Sequence, residues 1–84
     1  MTESLNRHLN RTRFACEAMA KQCRRRAAAT VDTLVRAALS GFARQLDDRA
    51  AQIDVWLNEL PDGVSPEREA ELSAACAEWL RMMQ

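Results

Sequence analysis

The stretch Leu60-Pro61-Asp62-Gly63-Val64-Ser65-Pro66 decides how the chain is cut. Pro61 cannot extend a helix, because its ring removes a backbone donor and clashes with the turn before it. Asp62-Gly63 makes a turn. Ser65 then caps a new helix, with Pro66 at its first position and Glu67 and Glu69 in its first turn. A last helix over about 66–82 follows.

Upstream of Pro61 the pattern is helical throughout. Leu5, Leu9, Thr12, Cys16, Met19 and Cys23 follow a 4-3-4-3-4 spacing, the period of one helix face. Val35, Leu39, Phe42, Leu46, Arg49, Ile53, Trp56 and Leu60 keep the same rhythm two residues out of register. A straight helix cannot hold one core-facing stripe through that offset. The reading is therefore two helices, about 3–26 and 30–60, with a break near residues 25–31 and Thr30 as the second cap. Arg24-Arg25-Arg26-Ala27-Ala28-Ala29 holds no Gly or Pro, so one continuous helix is the alternative. Gly41 lies opposite the second stripe, and the unbroken rhythm across it argues against a helix-turn-helix at Ser40-Gly41.

These elements predict an all-α fold, a helical hairpin or three-helix bundle in one domain, 1–84, with a long central helix and a heptad-like seam. A chain of 84 residues buries a modest fraction of its surface. Its apolar inventory has four aromatics and fifteen alanines, and alanine favours helix while burying little area. Such a core gains from a second copy, and the expectation is a homodimer formed through Leu39, Phe42, Leu46, Ile53, Trp56 and Leu60.

Formal charge is zero but polarised. Residues 1–46 carry nine cations and three carboxylates, and residues 47–84 carry three and nine. The halves either pair with each other or leave the basic half for an acidic partner. Three cysteines are an odd count and argue against a disulfide framework. Cys16 and Cys23 sit about 10 Å apart along a helix, too far for a disulfide or a shared metal. Both fall on the apolar stripe, so free thiols and a cytoplasmic setting are expected. The polar run from Thr2 to Arg13 does not read as a secretory leader. No apolar run approaches the roughly 20 residues that span a bilayer, so no membrane partner is expected.

A second stripe runs opposite the apolar one on the first helix. Arg7, Arg11, Phe14, Ala18, Lys21 and Arg25 also step 4-3-4-3-4 and line one face. A phenylalanine among four cations fits a contact site. It can anchor a protein interface inside a ring of charge, or stack on an unpaired base while the cations meet phosphates. The competing reading packs Phe14 beneath the third helix, whose Glu67, Glu71 and Glu78 would neutralise the cations. Over Leu9-Asn10-Arg11-Thr12-Arg13-Phe14 the chain resembles the first helix of Rop, the plasmid RNA-binding helical hairpins, in which an asparagine and a phenylalanine on one face contact paired RNA loops. Asn10, Phe14 and Arg25 match that pattern, while Glu3 and Ala18 depart from it. The Rop hairpin has no third helix, and no kinship is read from the likeness.

Arg24 and Arg26 form a possible basic cluster with Arg25. Successive residues turn by about 100°, so the three fan around the helix and cannot grip one flat surface. Arg49 is the one polar residue in the second stripe. It must snorkel, meet a carboxylate or lie over Trp56 or Phe42, and it could fix register at a coiled-coil seam. His8 has no metal-ligand spacing and no nucleophile motif beside it. Asp47-Asp48 and the Glu67-Glu69-Glu71 row lack the glycine and carbonyl pattern of a calcium loop.

No metal, cofactor or catalytic residue is expected. The functional expectation is a non-catalytic regulator or adaptor that binds another protein through its helix faces, in the manner of a phage or plasmid accessory factor or inhibitor. The alternative is a nucleic-acid-binding helical dimer that uses the basic face of the first helix.

Overall fold

The computed structural model describes residues 2–83, with side chains for residues 4–83. It is all-helical over those residues: α1 (Thr2–Ala29), α2 (Thr33–Glu59), a short 3-10 turn (Leu60–Asp62) and α3 (Pro66–Met82). The three helices pack together into a rod of 48 × 19 × 14 Å. The hairpin of α1 and α2 forms its length, and α3 lies along one end.

Each boundary has a local cause. The break between α1 and α2 falls at residues 30–32, at the late end of the expected stretch. Thr30 does not cap α2. Asp32 does, its carboxylate accepting from the backbone N–H groups of Leu34 at 2.9 Å and Val35 at 3.2 Å. An aspartate beside the positive end of the helix competes better than a threonine two residues further out. Thr30 instead accepts the Asp32 N–H, while its carbonyl takes a bond from Arg36. At the other junction Gly63 has φ 86°, a left-handed conformation that favours glycine, and its N–H closes onto Leu60 O at 2.9 Å. Ser65 caps α3 through Arg68 N.

The core has two parts. At the base of the rod Leu5, Leu9, Ile53, Leu60, Leu72 and Cys76 meet, with Trp56 and Trp79 against them. Their indoles stack at 5.2 Å and 14°. Nearer the tip the core thins to Cys16, Ala20, Cys23, Ala43, Leu46 and Ala50, edged by Met19, Leu39, Phe42 and Met83. Small residues there let α1 and α2 approach closely and bury little area.

The α2 stripe expected to serve a second copy is in part buried inside the chain, with Leu39, Phe42 and Trp56 left half-buried. Leu46 and Ile53 are fully buried and Leu60 is 5% exposed, covered by α1 and α3. Arg49 differs from expectation as well: it lies over Trp79, 5.6 Å from the ring centroid, rather than over Trp56 or Phe42. The cause is the indole stack, which puts Trp79 of α3 above Trp56 where Arg49 can reach it. The Nη1 of Arg49 is buried without a hydrogen-bond partner.

Candidate partner-binding face

Phe14 is 72% exposed, a large apolar ring standing in solvent from the middle of α1. Arg7, Arg11, Ala18, Lys21 and Arg25 are exposed along the same face. The apolar stripe of α1 points the opposite way: Leu9, Thr12 and Cys16 are fully buried, so the cationic stripe faces outward. From Arg7 to Arg25 this face extends about 27 Å.

The acidic half of the chain meets it only at one edge, where Glu69 of α3 lines a groove with Arg7 and Arg11. Among the described residues, ion pairs join Arg13 to Asp54 at 2.6 Å and to Glu17 at 3.9 Å, Arg24 to Asp47, and Arg68 to Glu59 and Glu71 at 3.2 Å each. None involves Arg11, Lys21 or Arg25. Helix α3 packs on the Leu5–Leu9 flank of α1, so Phe14 does not lie beneath it. Glu71 turns to Arg68 within its own helix instead of reaching α1. Glu3, which departs from the Rop-like pattern, has its side chain outside the described residues. Asn10, which matches that pattern, is engaged locally: its amide donates to Asn6 and its carbonyl oxygen accepts from Arg13.

The arginine triplet divides. Arg24 is drawn toward α2 by Asp47, Arg25 joins the Phe14 face, and Arg26 turns to the side on which α3 lies further down the rod. These three do not make one site.

Folding adds residues the sequence reading left aside. Arg7 and Arg11 also border an open groove of roughly 360 Å³ between α1 and α3, with His8, Glu69 and Ser73 along it. Glu69 and Ser73 come from α3, and only the docking of that helix puts them beside His8. No hydrogen bond joins His8 to Ser73 or Glu69 among the described residues. No group of three or more His, Cys, Asp or Glu side chains among the described residues could hold a metal ion. No described helix is long and apolar enough to cross a membrane.

Cys16, Cys23 and Cys76 are free and buried. Burial pushes the Cys16 thiol up, with the Arg49 guanidinium pulling the other way. Burial likewise raises Cys76, with Thr12 opposing it. Both are held as protonated, unreactive thiols. No family model, curated protein or solved structure matches the chain.

Proposed function

We propose that the chain is a non-catalytic adaptor or regulator that docks onto an acidic surface of a protein partner through the Phe14 face. One observation carries the reading: a phenylalanine 72% exposed stands among Arg11, Lys21 and Arg25, which join no ion pair among the described residues. Interface energetics concentrate in a few such aromatic and arginine anchors, ringed by polar groups that exclude water. The open groove beside Arg7 and Arg11 has room for a partner's carboxylate side chain.

A protein partner fits better than nucleic acid for two reasons. Zero net charge supplies no long-range attraction for a polyanion. The face also offers one aromatic ring, where single-strand binders stack successive bases on several. A second copy does not belong on this face either, since a two-fold contact there would set cation against cation. Three buried, reduced thiols agree with a reducing compartment.

The test compares proteins captured from cells by the immobilised wild-type chain with those captured by Phe14→Ala and Arg11→Glu. Both variants should lose the wild-type capture and keep the helical circular-dichroism signal. Capture retained by both would mean the wrong face has been chosen. Mobility shifts with single-stranded and hairpin RNA should be absent even at low ionic strength. A shift that weakens steeply with salt would move the reading to nucleic acid.

A further inference from the structure

Three of the six large apolar side chains left exposed among the described residues fall within five positions. Val31 is 95%, Leu34 83% and Val35 46% exposed, all at or beside the turn that joins α1 to α2. That turn is one end of the rod. Helix α3 stops at Met82, and Met83 packs against Met19, about 15 Å back from Ala29 along α1. The last stretch of the hairpin therefore stands alone in solvent, with its apolar side chains on a convex end.

Cations surround them. Residues 20–42 hold five of the chain's twelve cations and one of its twelve carboxylates. Arg24 is engaged by Asp47. Arg25 and Arg26 are exposed about 5 Å back from the end of α1, and Arg36 is exposed as far from the start of α2. Arg36 also donates to Thr30 O, which ties it to the turn. The one carboxylate, Asp32, is turned onto the first N–H groups of α2, where the positive helix end offsets part of its charge.

We infer that this tip docks end-on onto an anionic lipid surface, with Val31, Leu34 and Val35 among the acyl chains and Arg25, Arg26 and Arg36 at the headgroup phosphates. An exposed apolar patch rimmed by charge is the form such contacts take. A rod that meets a bilayer by its end needs no spanning helix. Sinking the tip by about 5 Å brings the arginines level with the phosphates, the shallow depth at which interfacial segments lie. Asp32 keeps the insertion shallow.

Residue type favours lipid over a macromolecule. Leucine and valine are under-represented among protein hot spots but favourable in hydrocarbon. Residues 24–39 include no aromatic ring to stack on a base. A second copy would set one arginine-ringed tip against another. Zero net charge is no obstacle, because every carboxylate except Asp32 lies further from the surface than the Debye length of about 8 Å. Phe14 lies about 22 Å back from Ala29, clear of the surface, so the inference is independent of what that face binds.

Cosedimentation of the full chain with phosphatidylcholine vesicles, with and without about 30% phosphatidylglycerol, tests it. The chain should bind the anionic vesicles, less as salt rises, and leave the neutral ones. Leu34→Asp, at an exposed position in the first turn of α2, should abolish binding with unchanged helicity. Arg26→Glu should weaken it by about tenfold. In Leu34→Trp the added fluorescence should be quenched by brominated acyl chains, while the native Trp56 and Trp79 at the base are not. A wild-type chain that ignores anionic vesicles even at low salt would overturn the inference, including one whose tip captures a protein instead. So would Leu34→Asp binding as tightly as the wild type, or quenching of the native indoles, which marks side-on contact.

Discussion

Gly41 sits in the interior of α2, and a Cβ added there meets nothing within 4 Å. Helix-interior glycine is less favourable than alanine by roughly 1 kcal/mol, so Gly41→Ala should stabilise the protein by about that amount in urea titration. Leu46 is the opposite case. It is fully buried where the tip half of the core is built from small residues, and few neighbours can collapse into a gap. Leu46→Ala should cost about 3 kcal/mol by the same titration, on the scale of large-to-small core substitutions. The buried thiols add a pH dependence. The folded state holds Cys16 and Cys76 above the ordinary thiol value of 9.0, so it binds protons that the unfolded chain releases. Their contribution is complete below that value and is lost as pH rises through the folded-state values. Unfolding midpoints should fall above pH 9.0 more steeply than in the double variant Cys16→Ala, Cys76→Ala. Both thiols should resist alkylation until the chain unfolds.

At the level of elements, the caps were unequally legible. Ser65-Pro66 with two glutamates in the next turn states a helix start in four local signals, and Ser65 makes the capping bond. The α1–α2 break had only a register offset to announce it, because Arg24-Arg25-Arg26-Ala27-Ala28-Ala29 is a good helical sequence. That sequence stays helical through Ala29, and the turn comes where Asp32 can cap α2. Asp32→Ala should therefore destabilise the protein by about 1 kcal/mol, whereas Thr30→Ala should cost less. Comparing the two denaturation curves checks which residue holds the cap. The stack of Trp56 on Trp79 joins α2 to α3 and half-buries the largest side chains of the base. Trp79→Ala should cost about 3 kcal/mol and abolish the near-ultraviolet dichroism of the indole pair.

For the molecule as a whole, charge and hydrophobic pattern were read correctly as quantities but not as places. The basic and acidic halves do pair, through Arg13–Asp54 and Arg24–Asp47, yet Arg11, Lys21 and Arg25 on the Phe14 face join no ion pair among the described residues. Of the α2 stripe, Leu46, Ile53 and Leu60 are buried within the chain's own core, while Leu39, Phe42 and Trp56 stay half-buried. Periodicity, proline and capping chemistry act over a few residues, so sequence alone determined the helical class and the third helix, while it left open whether Phe14 faces outward or packs beneath α3. Where α3 docks depends on side chains far apart in the chain. Only tertiary packing decided that Trp79 comes between Trp56 and Arg49, that Glu69 stands beside Arg7 and Arg11, and that the hairpin tip remains uncovered. The reason is geometric: helical period states which face of an element is apolar, but not which other face will arrive to cover it.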